Sequence, residues 1–334
     1  MDEPRITITG LSDVGKVRDN QEDSWAVWEA PTGADRRLIG RLLIVADGIG
    51  GNRAGEVASA LAVKTVQDEY LRSSGLPPSR LRAAIREANN KILEETEERP
   101  ECRGMGTTVV AAAILGDQLT VAWVGDSRAY LLRGKDLLQL TRDHSGAARS
   151  GSRGGAGLSR SLGAAMTVDP DIRQIILQPG DRVMLCSDGL YNLVSTDEIS
   201  RFGRGSVERW THDLVQAALK RGAPDNVTVV AAHIERLPFA PHRHPEVASG
   251  EFLDGVRLVE QLGADRFYLW YRAQREDSQR LLCILRPELQ ADNELLLEIE
   301  EDEESLGRTL SPHLAAVENA EMEKSLAYVC LRLP

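Results

Sequence analysis

Leu42-Leu43-Ile44-Val45-Ala46 is an unbroken apolar run that stops at a carboxylate, Asp47, with Gly48, Gly50 and Gly51 following. Such a run, bounded by turn residues, predicts a buried strand. The glycines allow the backbone to come close to a ligand at its mouth. A single Asp-Gly after a strand is weak evidence, because strands often end in such turns. Here the construction repeats. Thr120-Val121-Ala122-Trp123-Val124-Gly125 delivers Asp126, and Arg182-Val183-Met184-Leu185-Cys186-Ser187 delivers Asp188. Asp225-Asn226 stands instead at the entry of Val227-Thr228-Val229-Val230-Ala231-Ala232. Buried strand termini that each present an Asp are costly unless something compensates the charge.

The rest of the pattern predicts mostly antiparallel sheet interrupted by helices. Ile6 to Gly10 alternates as a half-buried strand, and Trp25 to Trp28 is strand-like. The polar stretch between them, Ser12 to Ser24, reads by default as a solvated turn. Ala54, Ala58, Leu61 and Thr65 predict a helix from near Asn52 to about Leu71. After Pro77-Pro78 a second helix presents Leu81, Ala84, Ile85, Ala88 and Ile92 on one face, with Arg82, Arg86, Glu94, Glu95 and Glu97 on a solvated one. Strands are expected at Val109 to Ile114, around Val121, at Ala129 to Arg133, at Ile172 to Leu177 and before Asp188, with turns at Gly116-Asp117 and Gly134-Lys135. Gly146 to Gly157 is rich in Gly, Ser, Ala and Arg and reads as a flexible surface loop rather than a phosphate cradle. A helix starts at Thr196, and another, marked by Val207, Trp210, Leu214 and Ala218, stops at Gly222.

At 334 residues with 42% apolar content, the chain has room for one large domain and a smaller one. The formal net charge of −11 argues against a general nucleic-acid binder. Cys102, Cys186, Cys283 and Cys330 lie far apart without zinc-like spacing, as in a reducing compartment. No basic-then-apolar leader and no bilayer-length apolar stretch is present, so the expectation is a cytoplasmic protein without a membrane span. Pro238 to Gly250, with its prolines and His242-Arg243-His244, reads as a linker and not a metal site.

Divalent cations resolve the conflict among the gathered acids. All-oxygen ligands suit hard ions, Mg²⁺ or Mn²⁺. A close pair of such ions activates a water and polarises a phosphoryl group. Arg18, just ahead of Glu22-Asp23, is the candidate to grip phosphate oxygens.

Arg18 through Ser24, Asp47-Gly48, Gly106-Thr107-Thr108, Gly125-Asp126-Ser127-Arg128, Thr141-Arg142-Asp143-His144-Ser145, Ser187-Asp188-Gly189 and Asp225-Asn226-Val227-Thr228 follow one another in this order. They resemble the motifs of metal-dependent serine/threonine protein phosphatases of type 2C, over about residues 5 to 236. The resemblance implies an α+β fold, a four-layer αββα sandwich of two antiparallel sheets flanked by helices. It implies hydrolysis of phosphoserine and phosphothreonine in proteins by metal-activated water. It also implies roles: Asp47 bridging two metals, Gly48 contributing its carbonyl, Asp188 and Asp225 as direct ligands, and Glu22 and Asp23 acting through the first site or its waters. Asp126 with Asp188 would hold a third, weaker ion, and Arg18 would bind the substrate phosphate. Arg18, Asp47 and Asp188 form the expected catalytic set, phosphorylated proteins the substrates, and a cognate Ser/Thr kinase a further partner.

The sequence departs from that family twice. Many members carry a His shortly after the bridging Asp, a candidate general acid; here the nearby positions are Ile49 and Asn52. The family's longer helical flap is reduced to Gly146–Arg160 ahead of Leu162-Gly163. These departures keep a second reading open, a pseudophosphatase acting as a binding module.

Residues 251–334 form a separate expected domain after a linker at 238–250, with the catalytic domain at 1–237. Gly255 to Gly263, Phe267 to Ala273 and Leu281 to Leu289 are similar to the first three strands of a protein-kinase small lobe, Leu295 to Leu310 to its helix and Leu326 to Leu333 to a late strand. Only Gly263 remains of the phosphate-covering glycines, with Asp265 and Tyr268 at the other two positions, and Cys283 replaces the strand lysine. A kinase needs these parts together, so the resemblance implies a non-catalytic lobe.

Overall fold

The computed structural model describes residues 5–29, 39–49, 54–73, 76–145, 158–237, 252–253, 256–264, 268–275, 278–285, 316–321 and 328–332. The chain divides into two compact units near residue 239.

The described residues of the first unit form the strands β1 (Arg5–Asp13), β2 (Asp23–Glu29), β3 (Arg41–Ile49), β4 (Gly106–Thr107), β5 (Val109–Leu115), β6 (Gln118–Val124), β7 (Arg128–Arg133), β8 (Asp136–Gln139), β9 (Asp171–Ile176), β10 (Arg182–Cys186) and β11 (Val227–Arg236). They build two sheets, ordered β1-β11-β10-β7-β8 and β2-β3-β5-β6-β9, with β4 paired to β3. The pairings are antiparallel.

Strand periodicity sets the layers, since alternate side chains point to opposite faces. In β3, Leu43 and Val45 enter the core between the sheets, where they meet Val183, Leu185, Val230 and Ala232. Leu42, Ile44 and Ala46 point the other way, into the core under α1 (Gly55–Arg72) and α2 (Pro77–Glu98). The outer face of the β1-β11-β10-β7-β8 sheet, Met184, Cys186, Val229 and Ala231, packs on the helices α3 (Asp188–Tyr191), α4 (Thr196–Phe202) and α5 (Val207–Lys220), with Trp210 fully buried there. Three cores between four layers make the expected sandwich, with β3 covered on both sides as its unbroken apolar run requires.

Local chemistry fixes the element ends. Ser195 and Glu198 form a reciprocal capping box at α4, and Ser206 Oγ accepts from Arg209 N–H at the start of α5. Two acids sit differently from their sequence reading. Asp47 lies within β3, which continues to Ile49. Asp188 opens the short helix α3 behind Ser187 rather than ending a strand. The strand β8 has no counterpart in the expectations.

The second unit holds one six-stranded sheet, ordered β12 (Phe252–Leu253), β13 (Val256–Ala264), β14 (Tyr268–Arg275), β15 (Ser278–Leu285), β17 (Tyr328–Arg332), β16 (Ala316–Glu321). Its pairings are antiparallel. The expected loop at 146–157, the linker at 238–250 and the helix at 295–310 lie outside the described residues.

Candidate active site

A cavity of about 230 Å³ opens on the first unit, and Glu22, Asp47, Asp126, Asp188 and Asp225 all line it. Arg18 and Gly48 share its wall, as do Thr108, Ile49 and Leu158. Topology accounts for the convergence. Asp47 comes from β3 in one sheet, while Asp188 and Asp225 flank β10 and β11 in the other. Two sheets packed face to face bring these ends to one place.

Asp47 is held by its backbone. Its N–H donates to Thr108 Oγ1 at 3.0 Å, and its carbonyl accepts from Thr108 N–H at 2.9 Å and Thr107 Oγ1 at 2.8 Å. Gly48 is required by space: a Cβ there would meet the Gly55 carbonyl oxygen at 2.4 Å, so β3 and the start of α1 touch backbone to backbone. Glu22 is placed by its own N–H donating to Asn226 Oδ1 at 2.7 Å; Asn226 Nδ2 in turn donates to the carbonyls of Val14 and Asn20. Arg18 donates to Asp225 Oδ2 at 2.8 Å and more loosely to Glu22 Oε2 at 3.4 Å.

Asp23 does not line the cavity. It stands directly across from Asp47 in the β2–β3 pairing and is only 5% exposed. Its Oδ2 accepts from Ser187 Oγ at 2.7 Å and from Thr228 Oγ1 at 2.6 Å. Ser187, Thr228, Asn226 and Thr108 belong to motifs legible in the sequence, yet nothing there tells that they hold the acids.

The electrostatics follow from burial and crowding. Burial first, then the charges of Asp23 and Asp188, hold the Asp47 carboxyl well above its ordinary range. Burial raises Asp23 to about 6 against the opposing hydrogen bonds of Thr228 and Ser187. Asp126 is pushed up to about 6 by burial and by Asp188, and Asp188 is raised by burial and Asp225. Like charges at one cross-strand position repel, and here two further aspartates add to them. Among the described residues no three acid, His or Cys side chains close on one point as a ready-made cage. The chemistry of the donor set nonetheless fits hard divalent cations: carboxylate and carbonyl oxygens around one polar space, with neither Cys nor His among the described residues of its wall.

A family model described as Protein phosphatase 2C matches residues 18–226. The serine/threonine phosphatase stp of Listeria welshimeri is 36% identical over 238 residues, 66% of this chain and 92% of that protein. The serine/threonine protein phosphatase PstP of Mycobacterium tuberculosis is 38% identical over 257 residues, 69% of this chain but 46% of PstP. The crystal structure of the PstP catalytic domain in complex with two manganese ions is similar with a TM-score of 0.59 at 35% identity, covering 68% of this chain and 97% of that one. The matched stretch begins at Arg18 and ends at Asn226, enclosing every acid that faces the cavity, and the chain belongs to the protein phosphatase 2C family.

Proposed function

We infer that this chain is a Mg²⁺- or Mn²⁺-dependent phosphatase of phosphoserine and phosphothreonine in proteins. The observation that carries the reading is the convergence of Asp47, Asp188 and Asp225, from both sheets, on one cavity with an arginine at its wall. Asp47, Asp188, Asp225 and the Gly48 carbonyl would hold two ions, with Glu22 and Asp23 supporting the first of them and Asp126 with Asp188 a third, weaker one. Bound there, hard divalent cations neutralise the acids, acidify a water and polarise a phosphoryl group.

The chain's own groups divide the remaining work. Arg18 is 43% exposed at its side chain, so it can turn to an incoming phosphate at little desolvation cost and offer a fork of donors. Ser187 and Thr228 orient Asp23, and Thr108 fixes the Asp47 backbone. Ile49 lines the cavity two residues after Asp47, and no described histidine does. A leaving group that needs no proton therefore reacts best. Nothing favours the pseudophosphatase alternative: the acids of the motifs are all present.

Phosphoproteins are the proposed substrates, with a cognate Ser/Thr kinase as partner and the cytoplasm as compartment. No described helix is long and apolar enough to cross a membrane. For the second unit, we propose a non-catalytic lobe resembling a kinase small lobe. In its support, β13, β14 and β15 form a meander and β17 returns beside β15.

The test is hydrolysis of an aryl phosphate and of a phosphothreonine peptide by the full chain with Mn²⁺, with and without chelator. Chelator-sensitive release from both is expected, faster from the aryl ester. No hydrolysis of either substrate with Mn²⁺ overturns the reading.

A further inference from the structure

Of the side chains the reaction leaves unused, His144 has the most organised surroundings. It is 8% exposed, and its ring stacks on Trp123 with centroids 6.3 Å apart. The Gly125 N–H donates to His144 Nδ1 at 3.1 Å. The His144 N–H donates back to the Gly125 carbonyl at 2.9 Å. Gly125 directly precedes Asp126, turns with φ +109°, and has no space for a side chain, since a Cβ would meet Thr108 at 2.7 Å. The carbonyl of Asp126 accepts from Tyr191 Oη at 3.0 Å.

A ring nitrogen that accepts a hydrogen bond carries no proton, so the neutral imidazole holds its proton on Nε2. Nε2 lies 3.4 Å from Asp171 Oδ2. Arg160 Nη1 stands 3.0 Å from Nε2 and can only donate, so beside an Nε2–H its proton goes to Asp171 Oδ1 at 2.6 Å and not to the ring. Imidazole and guanidinium thus share one carboxylate acceptor. The His144 carbonyl accepts from Ser159 N–H at 2.8 Å, and Ser145 bridges to Leu158, a wall of the cavity. One residue ties the Asp126 turn to the strand of chain that returns beside the site.

We propose that His144, as its Nε2–H tautomer, is a positioning residue whose Nδ1 fixes the Gly125-Asp126 turn and so the place of the Asp126 carboxylate on the cavity wall. The proposal rests on reading Asp126 as a ligand of the third, weaker ion, and adds what holds that ligand in place. The acceptor at Nδ1 carries the function; the Asp171 carboxylate, 3.4 Å from Nε2, only favours that tautomer.

Two variants of the full chain separate those halves. His144→Asn keeps an acceptor oxygen near the Nδ1 position. His144→Gln reaches with a donor to the Nε2 position but presents no acceptor to Gly125. Mn²⁺ binding by calorimetry should find the weakest site little changed in His144→Asn and weakened about tenfold in His144→Gln, the scale of losing a supporting hydrogen bond behind a ligand. Long-range ¹H–¹⁵N spectra of the unaltered chain in chelator should show His144 protonated on Nε2, a readout that needs no variant to fold. Protonation on Nδ1, equal losses in both variants, or a His144→Gln that binds like the unaltered chain overturns the proposal. An unaltered chain that shows Nε2–H but no weak Mn²⁺ site overturns instead the reading of Asp126 on which it stands.

Discussion

At the residue scale, Arg18 and Asp47 make opposite demands on charge. Arg18 donates to two of the acids that face the cavity, Asp225 and Glu22, so its cation competes with any ion those acids take. Arg18→Ala should therefore leave Mn²⁺ affinity equal or tighter while weakening inhibition by inorganic phosphate about 10- to 100-fold, the loss of a charge-assisted contact. Titrations of both ligands check this; parallel loss of metal and phosphate would mean that Arg18 is structural. Asp47→Asn should lower turnover by several orders of magnitude, since Asp47 is the ligand proposed to be shared by two ions. Its stability effect has the reverse sign. A carboxyl whose folded pKa is raised stabilises the fold while protonated and loses that contribution as pH climbs from its ordinary value through the raised one. In chelator, the melting-temperature advantage of Asp47→Asn should be absent near about pH 4 and grow toward about pH 7. A constant difference across that range contradicts it. Asp47, Asp126 and Asp188 were legible because each follows an apolar run, and Asp225 because it precedes one. The hydroxyls that hold Asp23 were not, because Ser187 and Thr228 lie 164 and 205 residues away along the chain.

At the element scale, the site depends on how closely β3 approaches α1. Gly48 and Gly55 have no room between them: a Cβ on Gly48 would also meet the Glu22 carbonyl oxygen at 2.6 Å. The obstructing atoms are backbone, which cannot rotate away. Gly48→Ala should cost about 1–3 kcal/mol in urea unfolding, as overpacking does, and should weaken Mn²⁺ binding because strand and helix separate at the cavity. Unchanged stability with unchanged metal affinity would show that the contact is slack. The periodic elements were readable from their own residues; the helix over Gly55–Arg72 starts three residues after the expected Asn52. What the sequence concealed was the placement of acids relative to element ends. Asp188 opens α3 because Ser187 behind it has extended backbone, φ −79° and ψ 171°, as an N-cap does, and a strand pattern carries no sign of where a following turn begins. Likewise β8, four residues with alternating exposure, is too short to leave a period.

At the scale of the whole molecule, the three hydrophobic cores of the first unit draw, among the described residues, on positions from Ile6 to Leu237. A unit with its own hydrophobic core can in principle fold alone. The family match also ends inside it, at residue 226. A chain cut after residue 239 should therefore melt in one transition and hydrolyse an aryl phosphate with the kcat/KM and Mn²⁺ requirement of the full chain. The second unit has its own antiparallel sheet, with Leu258 and Ala273 side by side and fully buried on one face, so the same cut should alter which phosphoproteins are taken. The measurements separate two roles for that unit. A fall in aryl-phosphate turnover would mean that it supports the catalytic fold. Loss confined to protein substrates would mean that it selects them, because an aryl ester is too small to reach beyond the cavity. Unchanged rates on both classes would leave it no part in the reaction.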